Sequence, residues 1–170
     1  AEGKKIIHLE IGQPDFPTPQ NICDAAIASI KAGDHGYTPS NGIVELRQVI
    51  ADYITRTRGV QRDADEVVMM PGAKPVMFYA MLALVNEGDE VIYPNPGFPI
   101  YESMINFVGG TAVPLKLEES KNFSFDVEDL KKLITPKTKL IIINTPQNPT
   151  GGILTEDTIR KIADVIKDTD

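Results

Sequence analysis

Residues 139–168, KLIIINTPQNPTGGILTEDTIRKIADVIKD, decide the fold that the sequence predicts. The stretch begins with an apolar run typical of a buried strand, and it ends in a helical segment for which Thr155 is the predicted N-cap. Two prolines, two asparagines and two glycines crowd the loop between them. The chain therefore passes from a strand into a helix through a stiff loop, which is the basic step of an α/β protein.

The same alternation of strand and helix extends toward the N-terminus. Strands are predicted at EVVMM (66–70), EVIYP (90–94) and TAVPLKL (111–117), and helical patterns separate them. Pro114 indicates an edge strand or a bend, because proline cannot donate to a sheet ladder. Strands rich in Val and Ile that alternate with helices imply a mainly parallel sheet with helices on both faces, a three-layer αβα architecture.

Two helices are predicted before this alternation begins. Apolar residues at helical spacing cover residues 20–33 and 43–59, and Gly33 and Gly59 are the predicted helix ends. Residues 4–19 have no clear helix or strand period and run into a proline-rich loop.

Composition and charge limit the classes of partner. The 170 residues carry a formal net charge of -7, which argues against nucleic acid or an anionic membrane as a main partner, since both need a basic surface. No apolar run is long enough for a membrane span. The single cysteine, Cys23, excludes an internal disulfide and fits a reducing compartment, so cytoplasm is the expected location. His8 and His35 lack metal-ligand spacing, and no metal site is predicted.

Candidate functional residues lie in three loops that follow predicted strands. These loops are PGAK (71–74), PNPGFP (94–99) and NTPQNPTGG (144–152). Ligands of open α/β sheets bind beyond the carboxyl ends of the strands, so all three loops are expected to open onto the same crevice.

Each loop has a functional interpretation and a plainer alternative. The turn at PGAK would leave backbone N–H groups free for a phosphate at the start of the next helix. The alternative is an ordinary turn that binds nothing. Phe98 is expected to cover the face of a flat ligand, or else to pack against a neighbouring loop. Prolines stiffen the backbone around Asn148, whose amide would then donate to a phenolate or carbonyl oxygen; the alternative is a common Asn-Pro turn.

Five motifs in this chain resemble those of one enzyme family and occur in that family's order. They are GQPDFPTP, YTPSNGIVELRQVIADY, PGAKPVMF, YPNPGFPIYESM, and NPTG after a buried strand. The pattern is similar to the class I/II aminotransferases, pyridoxal 5'-phosphate (PLP) enzymes of fold type I in the aspartate aminotransferase superfamily. The resemblance covers nearly the whole chain. It implies an enzyme that transfers an amino group from an L-amino acid to a 2-oxo acid.

The resemblance also implies roles for residues of the three loops. Ala73 and Lys74 match the residues that hold the cofactor phosphate. Phe98 matches the aromatic residue stacked on the pyridine ring, and Asn148 matches the asparagine that donates to the phenolic oxygen. Donation to that oxygen favours its anionic form.

Two further matches lie closer to the N-terminus. Gly12 matches the loop that approaches the substrate carboxylate, and Tyr37 matches the tyrosine whose hydroxyl reaches the cofactor phosphate of the partner subunit. The resemblance thus implies a homodimer. It assigns residues 1–35 to the small-domain or linker side and residues 36–170 to an incomplete PLP-binding large domain.

Other parts of the family machinery are expected outside this sequence. The resemblance places the Schiff-base lysine, the acid that pairs with the pyridinium nitrogen and the arginine that clamps the substrate carboxylate after Asp170. No catalytic residue is therefore expected in this chain, which should be inactive alone. The family sheet has further strands between EVVMM and the other three, so EVVMM should lack a neighbour here. Cis bonds are expected before Pro96 and Pro149.

Three other functions stay open at this point. A PLP-dependent β-lyase or synthase shares the same cofactor-binding half. An aminotransferase-like domain could instead sense PLP within a transcriptional regulator. A dinucleotide-binding domain is disfavoured, because the chain lacks the GxGxxG fingerprint and its acidic partner.

Overall fold

The structure is a computed structural model that describes Gly3, Ile7 and residues 11–169. The chain divides into two compact units, Ala1–Met69 and Met70–Asp170. The predicted domain boundary after residue 35 concerns the domains of the complete protein and remains a prediction.

The first unit contains two α-helices and a short 3-10 helix. Helix α1 spans Gln20–Ala32 and helix α2 spans Val44–Arg58, followed by a 3-10 helix at Ala64–Glu66. The predicted glycine ends are confirmed, since Gly33 and Gly59 both follow their helices in the left-handed conformation. The helices differ in burial: α1 has no buried residue, whereas α2 buries Arg47 and Ala51.

The strand predicted at residues 66–70 is wrong for the described chain. The 3-10 helix Ala64–Glu66 takes up its start, and the backbone N–H of Met69 donates to the carbonyl of Asn41 at 3.0 Å, in a loop. A strand forms only where a neighbouring strand completes its ladder, and the described strands pair only with one another. The expected lack of a neighbour for this segment therefore explains why no strand forms.

The second unit alternates helices with the strands of one parallel sheet. Its elements in chain order are α3 (Ala73–Leu84), β1 (Glu90–Asn95), α4 (Ile100–Phe107), β2 (Thr111–Lys116), a 3-10 helix (Glu119–Lys121), α5 (Val127–Leu133), β3 (Thr138–Ile141) and α6 (Glu156–Ile166). The strand order is β2-β1-β3, and β1 pairs in parallel with both neighbours. Strand β2 lies at an edge, as Pro114 indicates.

Two hydrophobic cores cover the two faces of this sheet. Val91 and Tyr93 of β1 pack in one core with residues of α3 and α4, including Met81 and Ile105. The intervening Ile92 packs in the other core, together with residues of β2, α5 and α6. The alternation of side chains along β1 thus places helices on both faces, which confirms the three-layer αβα fold and the parallel sheet.

Local features of the loops also match the sequence. The peptide bonds before Pro96 and Pro149 are cis as expected, and the bond before Pro146 is cis as well. The hydroxyl of Thr155 accepts a hydrogen bond from the backbone N–H of Thr158 at 3.2 Å, so Thr155 is the N-cap of α6. Across the described residues, every helix is too short or too polar to cross a membrane.

Candidate cofactor site

A cleft in the second unit gathers residues from all three predicted loops. Its volume is about 680 Å³, and it lies where the loops after β1 and β3 meet the beginning of α3. Four predicted site residues line it: Ala73, Lys74, Phe98 and Asn148. The structure therefore brings these four residues together, while their roles in binding remain predictions.

Helix α3 directs its N-terminus toward the cleft. The helix begins at Ala73, two residues earlier than the helical pattern after Pro75 indicates, and Gly72 is its N-cap. Gly72 has φ 94°, a left-handed conformation that favours glycine. No side chain among the described residues caps the helix, so the first backbone N–H groups, at Ala73 and Lys74, are free to bind an anion.

The loop after β1 holds Phe98 in a defined orientation. A Cβ atom at Gly97 would collide with the carbonyl oxygen of Pro94, so the backbone passes too closely for any larger residue. The ring of Phe98 meets that of Tyr101 edge-on, with centroids 5.9 Å apart and planes at 80°. Phe98 is half-buried, packed against the core on one side and lining the cleft on another.

Tyr101 supplies a neutral hydroxyl-bearing ring beside the cleft. Its side chain is almost fully buried, and it is a cleft-lining residue. Burial raises the pKa of its phenol above the usual 10.0, because the charged phenolate is poorly solvated there. Tyr101 therefore adds no negative charge to the site at neutral pH.

The loop after β3 presents Asn148 at its tip. The backbone N–H of Asn148 donates to the side-chain oxygen of Asn144 at 2.7 Å, and that of Leu154 donates to the hydroxyl of Thr145 at 3.0 Å. These bonds tie the backbone of the loop. The side-chain amide of Asn148 is exposed and has no hydrogen-bond partner among the described residues, so it is available to a ligand.

The electrostatics of the cleft favour an anion. Lys74 is the single charged residue among the described residues that line it, and Lys74 forms no salt bridge within the described part of the chain. Lys74 belongs to the first turn of α3, whose free N–H groups and helix dipole also favour negative charge. A cationic side chain and a helix N-terminus thus reinforce each other.

A group of carboxylates lies elsewhere in the second unit. Glu118, Asp126 and Asp129 each place an oxygen atom within 4.8 Å of the others. The ammonium group of Lys121 lies 2.6 Å from both Glu118 and Asp126. Hydrogen bonds to Asp126 and Glu118 raise the pKa of Lys121, so this group contains its own counter-ion.

Two predicted site residues belong to the first unit. Gly12 is exposed in an irregular segment, and Tyr37 is fully exposed. Neither is among the residues that line the cleft, which the second unit forms by itself. Their predicted contacts with substrate and with a partner subunit remain predictions.

Some residues near the site were not predicted from the sequence. Asn144 and Tyr101 line the cleft, and Gln147 lines a small neighbouring cavity that shares Asn144 with it. Asn144 follows the apolar run of β3 directly, a position that could have been noticed by the same rule that found Asn148. Gln147 gave no such signal, because its contacts reach a loop far away in the chain.

The parallel αβα unit with a cleft at its strand ends is typical of α/β proteins that bind small ligands. Comparison with known families then identifies the family. The chain matches the family model "Aminotransferase class I and II" over residues 4–170, and it belongs to that family. This result confirms the resemblance seen in the five motifs.

Individual relatives agree with the family assignment. The chain is 40% identical over 164 residues to the probable aspartate/prephenate aminotransferase of Aquifex aeolicus. These residues make up 96% of this chain and 42% of that protein. It superposes on aspartate aminotransferase from Thermus thermophilus with maleate at a TM-score of 0.91, with 32% identity and coverage of 94% of this chain and 42% of that one. It superposes on alanine aminotransferase from Pyrococcus furiosus at a TM-score of 0.93, with 33% identity, and the match covers 97% of this chain and 43% of that one. The chain thus spans about 42% of the length of the first of these relatives.

Proposed function

We propose that this chain is the cofactor-binding N-terminal part of a PLP-dependent aminotransferase, which transfers an amino group from an L-amino acid to a 2-oxo acid. The observation that carries the proposal is the convergence of Lys74, Phe98 and Asn148 on one cleft. Lys74 comes from the start of α3 and the other two from the loops after β1 and β3, and each supplies a different type of contact. Membership of the aminotransferase class I and II family supports the same conclusion.

The chemistry of the cleft fits a phosphate group at its α3 end. The N–H groups of Ala73 and Lys74 would donate to phosphate oxygens, and the Lys74 ammonium would neutralise part of their charge. Phosphate binding at a helix N-terminus gains typically about 0.3–1 kcal/mol from the helix dipole, and up to about 2 kcal/mol when partly buried. No acidic residue lines this cleft in the described chain to oppose it.

The other residues that line the cleft fit a flat aromatic ring with an oxygen substituent. Phe98 would pack against the ring, and its own orientation is held by Tyr101. The amide of Asn148 would donate to the phenolic oxygen, since its backbone is tied to Asn144 and its side chain is free. Donation to that oxygen stabilises its anionic form.

When bound, PLP supplies the carbonyl group and the electron sink that allow an amino group to pass between amino acid and 2-oxo acid. The described residues would bind and orient this group and set the charge on its phenolic oxygen. We assign the covalent lysine, the partner of the ring nitrogen and the carboxylate-clamping arginine to sequence after Asp170. We therefore propose that the 170-residue chain is inactive alone.

We further propose a homodimer in the cytoplasm. Tyr37 is fully exposed, as a residue that contributes its hydroxyl to the partner's cofactor phosphate must be before assembly. Gly12 would bring backbone close to the substrate carboxylate, a role that suits a residue without a side chain. The single cysteine agrees with a reducing compartment.

An absorbance titration of the complete protein with PLP tests the proposed function. The cofactor should develop a bound absorption band, and addition of an amino acid should convert it while the matching 2-oxo acid restores it. Aspartate, prephenate and alanine, with their oxo or amino counterparts, are the first compounds to try, because the relatives carry those names. A bound band that no amino acid converts would indicate a sensor, and release of ammonia or a β-substituent would indicate a lyase. The 170-residue chain alone should give no turnover.

A further inference from the structure

Gln147 is a buried polar residue that connects two loops of the candidate cofactor site. Only 6% of its surface is exposed. Its side-chain nitrogen donates to the carbonyl oxygen of Pro96 at 3.1 Å and to that of Asn148 at 3.2 Å. Pro96 lies two residues before Phe98, so a single amide group joins the loop of Phe98 to the loop of Asn148.

The chemistry of its partners determines how this amide is oriented. Both neighbours are carbonyl oxygens, which accept hydrogen bonds and cannot donate them. The NH₂ group has two hydrogens to donate and must face them, since the amide oxygen in that place would be repelled by both carbonyls. Glutamine therefore satisfies this position, and an acceptor-only side chain would not.

The backbone of Gln147 closes the same loop. Its N–H donates to the carbonyl of Gly152 at 2.7 Å, and its carbonyl accepts from the N–H of Gly151 at 2.7 Å. Four hydrogen bonds thus meet at the residue that directly precedes Asn148. The position of the Asn148 backbone, and so the direction of its amide, depends on this residue.

We propose that Gln147 is a positioning residue of the PLP site, which acts by holding the Asn148 amide at a set distance from the loop of Phe98. This inference rests on the proposed function. Gln147 need not touch the cofactor, because its side chain is buried, is not among the described residues that line the cleft, and donates its N–H groups to two backbone carbonyls. Its effect passes to the cofactor through Asn148.

A purely structural residue and a positioning residue predict different results in a spectroscopic experiment. The Asn148 amide would donate to the phenolic oxygen of the cofactor and so stabilise the deprotonated form of the bound cofactor. When that donor is lost or misplaced, the cofactor keeps its proton to a higher pH, and the pH midpoint of its absorption transition rises. A residue that only stabilises the fold would change the unfolding midpoint and leave this pH midpoint unchanged.

The experiment compares variants of the complete protein loaded with PLP. Gln147→Met keeps the length of the side chain and removes its donors, Asn148→Ala removes the amide itself, and a third protein carries both changes. Gln61→Met is the matched control, because Gln61 is exposed and its side chain makes no hydrogen bond within the described chain. The pH midpoint of the cofactor band and kcat/KM are measured for each protein.

We expect the midpoint to rise by about one pH unit in Asn148→Ala and by about half as much in Gln147→Met. kcat/KM should fall about tenfold in Gln147→Met, since a small misplacement of a positioned group is costly. In the double variant, Gln147→Met should add no further shift to that of Asn148→Ala, because the two residues act along one path. Gln61→Met should match the unmodified protein.

Two outcomes overturn the inference, and a third separates it from the proposed function. An unshifted midpoint in Gln147→Met, with a normal shift in Asn148→Ala, makes Gln147 merely structural. Fully additive shifts in the double variant show that Gln147 does not act through Asn148. An unmodified protein without a cofactor band refutes the proposed function and this inference with it. If Gln147→Met does not fold, Gln147→Asn takes its place under the same criteria, since it withdraws the amide by one methylene group.

Discussion

Two lysines of the second unit stand in opposite electrostatic surroundings. Lys74 lies in the cleft without a carboxylate partner among the described residues, beside the uncapped N-terminus of α3. Lys121 lies 2.6 Å from the carboxylates of both Glu118 and Asp126. Carboxylates of the chain thus neutralise the ammonium group of Lys121, whereas the ammonium group of Lys74 is available to an anionic ligand.

The difference separates a lysine whose charge is paired within the fold from a lysine whose charge can pair with a ligand. An exposed ion pair such as that of Lys121 contributes little to stability, because solvent screens it and ordering the side chains has an entropic cost. A lysine in the uncapped first turn of a helix gains nothing from the helix itself, since the ammonium group, the free N–H groups and the helix dipole all attract negative charge. Its position makes sense when an anion completes the arrangement.

The largest effect that would sharpen this comparison is on cofactor affinity. In the complete protein, Lys74→Met should weaken PLP binding about ten- to one-hundredfold, the loss expected for a charge-assisted hydrogen bond of about 1.5–3 kcal/mol. Lys121→Met should leave the affinity unchanged. Fluorescence or absorbance titration with PLP measures both. Equal weakening by the two substitutions would mean that net charge matters and the cleft does not.

The next effect separates catalysis from binding inside the cleft. Asn148→Ala should lower kcat about tenfold, as one lost hydrogen bond of roughly 1–1.5 kcal/mol predicts, and should weaken PLP binding less than that. Steady-state kinetics and a PLP titration on the same preparation supply the two numbers. Asn106→Ala is the control, because Asn106 is exposed on α4 and its side chain has no bond within the described residues. Equal turnover with a normal cofactor spectrum would remove the role of Asn148.

A smaller effect concerns pH and the buried phenol beside the cleft. Burial raises the folded-state pKa of Tyr101 above its usual value of 10.0. The stability contributed by its neutral form is therefore fully present below that pH, and it is lost as pH rises through the folded pKa. Thermal unfolding of the complete protein between about pH 9 and 11 should show this loss, and Tyr101→Phe should reduce it. An identical pH profile for the variant would contradict the burial of a titrating phenol.

The smallest effect is expected at the acidic group. Lys121→Met should change the free energy of unfolding only slightly, because solvent screens its partly exposed ion pairs. Denaturant unfolding at low and high salt measures this change. A much larger loss, insensitive to salt, would mean that Lys121 holds the Glu118–Asp126 turn in a way that solvent does not screen.

Much of the fold followed from local patterns in the sequence. Local sequence determines three of these features: the alternation around β1 and β3, the edge position of Pro114 and the cap at Thr155. None of them depends on residues far away in the chain. The segment at residues 66–70 shows where such rules end. Its Val and Met residues favour a strand, but a strand also needs a neighbour, and none of the described strands pairs with it.

The candidate site divides in the same way. Lys74, Phe98 and Asn148 could be found because each lies in a conspicuous stretch of glycine and proline after a segment with a strand pattern, although the segment before Lys74 does not form a strand. Gln147 could not, since its side chain acts on the carbonyl of Pro96, 51 residues earlier in the chain. Only the fold brings those two loops within hydrogen-bonding distance.

Crystals of the complete protein grown with PLP test the central claim most directly, through the location of the phosphate in the electron density. The phosphate should lie against the N–H groups of Ala73 and Lys74, with the pyridine ring on Phe98 and the phenolic oxygen within hydrogen-bonding distance of the Asn148 amide. A cofactor bound elsewhere, with Lys74 in an ion pair of its own, would contradict the account.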